Sequence, residues 1–229
     1  MQVTDPANNA DTVAEELSER IFLLESFTTE SIRALRREFS KQLVKSPSRF
    51  VVEVALRLFE HNTFEHRFVA YELVCKHRSA LGSLNEKDLR QFGRGMGSWG
   101  AVDMFACYLA GPAWRERQVP DKLIHRWARS KDRWWRRAAL VSTVPLNSKA
   151  RGGSGDTRRT VEVCELLLED RDDMVVKAMS WALRELSKRD AKAVRQFLTE
   201  HRDVIAARVA REVSNKLTTG LKNPKGRAL

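Results

Sequence analysis

Phe64-Glu65-His66-Arg67, Trp99-Gly100-Ala101-Val102, Trp134-Trp135-Arg136-Arg137 and Met174-Val175-Val176-Lys177 each open on a large apolar residue, and their first residues lie 35, 35 and 40 positions apart. Recurrence at this interval marks a two-helix unit that buries its apolar face only by stacking on the next unit. A basic residue recurs at the fourth place of three of the stretches (Arg67, Arg137, Lys177), and the longer third interval contains Arg151-Gly152-Gly153-Ser154-Gly155. The expected fold is all-α: a HEAT-like helical-repeat solenoid, a curved superhelix with a basic concave face.

Outward from these starts, helical periodicity fills the chain and strand signals are nearly absent. Thr28 to Val44 places Ile32, Leu35, Phe39 and Leu43 on one helical face, and Pro47 opens the next helix through Val51, Val54 and Leu58. Further helices are expected over 65–78, 86–93, 99–109, 121–130, 133–144, 158–169, 174–188, 191–200 and 204–217. The Gly-rich stretch at 151–155 reads as a flexible surface loop, since helices resume on both sides.

The chain has 229 residues, 42% hydrophobic and 31% charged, which suits a globular core and excludes a peptide, a disordered chain or a membrane-spanning protein. Three cysteines, Cys75, Cys107 and Cys164, are odd in number and lack C-x-x-C spacing, so neither a disulfide framework nor a zinc site is expected. The first residues carry no basic and apolar export signal, and a cytosolic location is expected. Residues 1–30 hold seven acids and one base, a net charge of −6, which leaves +17 on the rest of a chain whose total is +11. So basic a body attracts a polyanion, either nucleic acid or an anionic membrane surface; a merely solvated basic surface is the bland alternative.

One place after the basic column the register reads Phe68, Asp103, Ala138, Ala178. Three members suit a core, and the fourth is a carboxylate whose burial without a partner is costly. Asp103 must therefore pair, face a wet groove or act chemically. Trp99 lies one turn before it on the same face. Trp181 falls three places after the Asp103 column, on the same face two repeats away. The plain reading is a local cap or pair at Asp103 with both tryptophans in the core. The acidic run Glu169-Asp170-Arg171-Asp172-Asp173 precedes a helix and reads as capping rather than cation binding. No metal ligand set, phosphate loop or nucleophilic triad has the required spacing, so no metal or cofactor is expected. What remains is a face on which Trp99, Trp134, Trp135 and Trp181 interleave with Arg133, Arg136, Arg137, Lys177 and Arg184. Arginine forks suit phosphates and indole faces suit bases or sugars, although Trp135 reads as core. A carboxylate in such a channel makes sense where positive charge develops, as on a deoxyribose losing its base.

The segments Ser98-Trp99-Gly100-Ala101-Val102-Asp103, Arg133-Trp134-Trp135-Arg136-Arg137-Ala138-Ala139 and Lys177-Ala178-Met179-Ser180-Trp181-Ala182-Leu183-Arg184-Glu185-Leu186 resemble, in order and spacing, three signature segments of the bacterial AlkD-like DNA alkylation-repair glycosylases. The resemblance covers Thr28 to Leu217. It implies a HEAT-like fold that cups duplex DNA and hydrolyses the N-glycosidic bond of N3- and N7-alkylated purines, such as 3-methyladenine and 7-methylguanine, without base flipping. It also implies roles: Asp103 as catalytic carboxylate, Trp99 and Trp181 on the sugar and backbone, Arg137 gripping a phosphate and Arg184 a second backbone contact. Arg136 and Lys177 join the DNA-binding set. Ser26 to Arg33 resembles the family's N-terminal DNA-contacting segment, with Thr29 and Arg33 matching. The chain departs at Ser98 and Gly100, where the family often has a second tryptophan and a further acid, at Glu30 in place of a common proline, and in the Gly-rich loop. The expected organisation is an acidic N-terminal segment or terminal cap helix at 1–27, a DNA-binding and catalytic repeat domain at 28–219 and a basic tail at 220–229. The expected partner is double-stranded DNA containing alkylated purines, met by a monomer in the bacterial cytosol at the nucleoid, with no membrane and no obligate protein partner. Two other readings stand beside it: a non-catalytic DNA-binding solenoid for damaged or unusual DNA, and a scaffold for an acidic protein.

Overall fold

The computed structural model describes residues 9–224, and among them there are helices and turns but no strand. Residues 225–229 of the expected tail and 1–8 of the expected N-terminal segment lie outside the described residues. The helices fall into two compact units, 1–96 and 97–229. The first holds α1 (Ala10–Phe22), α2 (Thr29–Gln42), α3 (Ser48–Glu60), α4 (Phe64–Lys76), α5 (Arg78–Gly82) and α6 (Glu86–Phe92). The second holds α7 (Trp99–Phe105), α8 (Gly111–Arg115), α9 (Asp121–Ala128), α10 (Arg133–Val141), α11 (Val144–Asn147), α12 (Thr157–Leu166), α13 (Asp173–Leu186), α14 (Ala191–Glu200) and α15 (Ala207–Thr219).

The 35-residue register is a register of helix starts. Phe64 and Trp99 are the first residues of α4 and α7, and Trp134 and Met174 the second residues of α10 and α13. A short polar side chain caps each start: Thr63 accepts from the His66 amide, Ser98 from Ala101, Asp132 from Trp134 and Asp172 from Met174. Each cap satisfies amides that the helix cannot satisfy internally. The acidic run before α13 caps as expected: Asp172 takes the Met174 amide, while Asp170 accepts Arg136 Nε at 2.6 Å.

In the first unit α1 packs against α3, and α2 and α3 against α4. Phe39, Leu58, Tyr71, Leu73, Leu89 and Phe92 are fully buried there. His66 on α4, 1% exposed, ties α1 to this core: one ring nitrogen lies 2.9 Å from Ser18 Oγ, the other 2.6 Å from Thr63 Oγ1. A neutral ring satisfies both. Burial, with the His61 ring stacked 4.6 Å away, pushes the His66 pKa down from 6.5 to about 4.

In the second unit α10 packs against α7, α9 and α13, and α13 against α15. Trp135 meets Phe105 edge-on at 6.0 Å and Trp127 at 4.9 Å, the core role expected of it. The helix that begins at Trp99 was expected to stop at 109; it runs on to Arg115 through a five-residue π turn, Ala106–Ala110. Pro112 has no N–H to give the preceding turn, and the wider ladder absorbs that gap. Gly111 lets this helix close on the α10–α11 corner, where a Cβ would meet Pro145 Cγ and Ser142 O at 2.7 Å.

The flexible loop expected at 151–155 is pinned instead. Gly153 and Gly155 donate to the carbonyls of Ser148 and Leu146 at 2.9 Å, and Arg189 donates to those of Asn147 and Gly153. Buried Asn147 joins Thr143, Thr160 and Asp156 by three hydrogen bonds. The glycines serve close approach and, at Gly152 and Gly155, positive φ, rather than mobility.

Two expectations follow. A Cβ at Gly153 would lie 2.4 Å from the Pro145 carbonyl oxygen, whereas one at Gly82 meets nothing within 4 Å. Gly153→Ala should therefore cost about 2–3 kcal/mol in chemical denaturation, and Gly82→Ala should be neutral or slightly stabilising. As pH falls from 6.5 toward about 4, the unfolded chain takes up a proton that folded His66 refuses, so stability present above that window is lost across it. Melting temperatures from pH 7 to 4 should fall more steeply for the wild type than for His66→Gln.

Candidate functional site

Trp99, Asp103, Arg137, Met174, Lys177, Trp181, Arg184 and Lys222 line a cleft of about 370 Å³ in the second unit. It draws on the starts of α7, α10 and α13 and on the segment after α15. Because the Ser98 cap fixes where α7 begins, Trp99 occupies the first helical position and stands 62% exposed at the cleft edge. Asp103 follows one turn later on the same face, half-buried.

Asp103 is held rather than free. Arg137 Nε and Nη2 donate to its two oxygens, each at 2.8 Å, and Nη1 donates to the Met174 carbonyl at 2.6 Å. The side chains are 17% and 7% exposed, so the pair sits at the floor of the cleft. Bidentate contact of this kind is that of a carboxylate with a guanidinium. Burial pushes the Asp103 carboxyl above the ordinary carboxylate range, opposed first by the Arg137 hydrogen bonds and then by the charges of Arg137 and Arg151. Arg151, from the Gly-rich segment, has its guanidinium 5.7 Å from the Tyr108 ring centroid.

The cleft brings Trp99, Asp103, Trp181, Arg137, Lys177 and Arg184 together from three repeats. Lys177 is exposed and ion-paired with Asp173 at 2.6 Å. Arg184 is half-buried, and burial lowers its pKa. Arg137, expected on a phosphate, instead directs all three guanidinium nitrogens to Asp103 and the Met174 carbonyl. Arg136 does not line the cleft: its Nε is on Asp170 and its Nη1 on the carbonyls of Ser130 and Lys131. Thr29 and Arg33 belong to α2 of the first unit, Thr29 exposed and Arg33 2.8 Å from Glu72 Oε1. Sequence reasoning missed Lys222 and Arg151, which stand in segments read as tail and loop. Their positive charge was the only signal available. Among the described residues no three His, Cys, Asp or Glu side chains gather as for a metal ion, and no helix is long and apolar enough to cross a membrane.

The site is a largely buried carboxylate that shares a cleft with two indoles and several cations on an all-helical repeat scaffold. The sequence profile of the DNA alkylation repair enzymes matches residues 24–217, and the chain belongs to that family. A solved structure described as a predicted DNA alkylation repair enzyme from Enterococcus faecalis shares its fold, with a TM-score of 0.69 at 18% identity over 94% of this chain and 97% of that one. No curated protein matches the chain.

Removal of Arg137 would leave Asp103 partly buried and unpaired. Arg137→Met should lower the unfolding free energy by about 3 kcal/mol at neutral pH, and adding Asp103→Asn should recover part of that loss. Urea denaturation of the two single variants and the double variant measures both.

Proposed function

We propose that this protein is a DNA glycosylase that hydrolyses the N-glycosidic bond of cationic N3- and N7-alkylated purines in duplex DNA without flipping the base, the first step of base excision repair. The observation that carries this reading is the Asp103 carboxylate, held at both oxygens by Arg137 in a cleft that it shares with Trp99, Trp181, Lys177 and Arg184. An alkylated purine already bears positive charge and leaves as a neutral base, so no general acid is needed. As the bond from C1′ to the purine nitrogen breaks, the electron pair goes to the purine and positive charge grows on the sugar. Asp103, fixed in place by Arg137, stabilises that charge without reorganising. Water then adds to C1′ and gives up its proton. The indole faces of Trp99 and Trp181 add cation–π attraction, and Lys177 and Arg184 meet the flanking phosphates. An exposed Trp99 beside the carboxylate suits a sugar approached in the groove better than a base swung into an enclosed pocket. The protein would work as a monomer in the bacterial cytosol, on nucleoid DNA.

A second reading, DNA binding without chemistry, is favoured by the occupation of both Asp103 oxygens by Arg137. The two part on base release. Wild-type protein should release 3-methyladenine and 7-methylguanine from alkylated duplex DNA, and Asp103→Asn should release them at least ~100-fold more slowly while keeping duplex affinity. Because the Asp103 pKa is raised, release should decline on the acid side above the ordinary carboxylate range. No release by wild-type protein that binds the DNA leaves the binding reading, and equal release by both proteins removes Asp103 from the mechanism.

A further inference from the structure

Glu212 on α15 is a carboxylate with only 5% exposure. Burying such a charge is unfavourable unless partners surround it; Arg208, outside the cleft and also paired with Asp173, lies 4.0 Å from its Oε1, and its other oxygen faces two cations of the cleft. Glu212 Oε2 accepts the Ser180 hydroxyl at 2.5 Å, and Ser180 Oγ in turn accepts Arg184 Nε at 3.2 Å. The hydroxyl has a single hydrogen, so its donation to Glu212 leaves its lone pairs for the guanidinium. The order carboxylate, hydroxyl, guanidinium is thereby fixed. The same Oε2 lies 3.4 Å from Lys222 Nζ. Gly220, with φ +74°, turns the chain back after α15, and Asn215 Nδ2 holds the Lys222 carbonyl at 3.1 Å. Arg184 and Lys222 both line the cleft. No described residue accepts from the terminal nitrogens of Arg184.

We propose that Glu212 is a positioning residue, one buried carboxylate that aims two cleft cations, Arg184 through Ser180 and Lys222 directly, at adjacent phosphates of the bound strand. It opposes the burial that lowers the Arg184 pKa, and it keeps the long side chain of Lys222 from sampling many rotamers. The consequence for DNA rests on the function proposed above; the geometry belongs to the free protein alone. A simple electrostatic role makes the opposite forecast, since deletion of a negative charge beside a DNA site strengthens binding to any duplex.

The test has two readouts. In the free protein, the Arg184 Nε–H resonance in a ¹⁵N-correlated spectrum should be slow to exchange with water, and both Glu212→Gln and Ser180→Ala should release it to solvent-averaged behaviour. Ser180→Ala removes only the relay, and so carries the test if Glu212→Gln fails to fold. In titrations of an undamaged duplex, Glu212→Gln should weaken binding about 10-fold and lower the salt slope by about one unit, the signature of a lost phosphate contact. Added to Arg184→Met and Lys222→Met together, Glu212→Gln should cause no further loss. Tighter binding by Glu212→Gln, an unchanged salt slope, or an Arg184 signal indifferent to both substitutions overturns the proposal. If the wild type binds no duplex, it is the DNA reading that falls, and the Arg184 signal then decides the positioning role by itself.

Discussion

Arg137 joins three helices through one guanidinium. It stands on α10, takes both oxygens of Asp103 on α7, and donates its remaining nitrogen to the Met174 carbonyl at the start of α13. The pair is largely buried, and a buried ion pair holds only while both members and their remaining hydrogen bonds are in place. The floor of the cleft is therefore set by one charge–charge contact, and the aromatic and cationic side chains take their positions around it. Ala138 and Ala178, which occupy the Asp103 column in the next two repeats, are fully buried, as an apolar column should be.

The scaffold is organised so that this contact can be made. Four capped helix starts recur in one register, and the residues just inside each start share a place in their repeats. One turn of α-helix separates Trp99 from Asp103, and the π turn that follows at Ala106–Ala110 lets the same helix carry Gly111 against the α10–α11 corner. The pinned Gly-rich segment also contributes: its backbone is fastened to the α11 end, and Arg151 adds its charge to the field at Asp103. A stretch with the composition of a flexible linker is thus a tight structural turn.

The cleft balances charge at short range. Asp103 is matched by Arg137, Lys177 by Asp173, and Lys222 by Glu212, while the strongly basic body remains available at longer range. Fixed pairs of this kind set direction and the net excess sets attraction, two separate physical jobs that one charge count cannot distinguish.

Helix content, the repeat interval and the odd carboxylate in an apolar column were legible in the sequence, because each depends on local periodicity, on capping side chains and on the penalty for burying a charge. The resemblance of the three segments gave the family, and the cleft does gather Trp99, Asp103 and Trp181. Which partner Asp103 takes was not legible. Arg137 and Arg136 are neighbours in the chain and alike in chemistry, yet one turns inward to a carboxylate 34 positions away and the other is held by Asp170 and two carbonyls. The meeting of Lys222 with Glu212 was likewise invisible, since it depends on how α15 packs along α13 and on a left-handed turn at Gly220. Periodicity fixes the face of a helix a residue occupies. Only the packed structure decides which charge on the next helix it finds, because that choice rests on distances of a few ångströms between segments far apart in the chain.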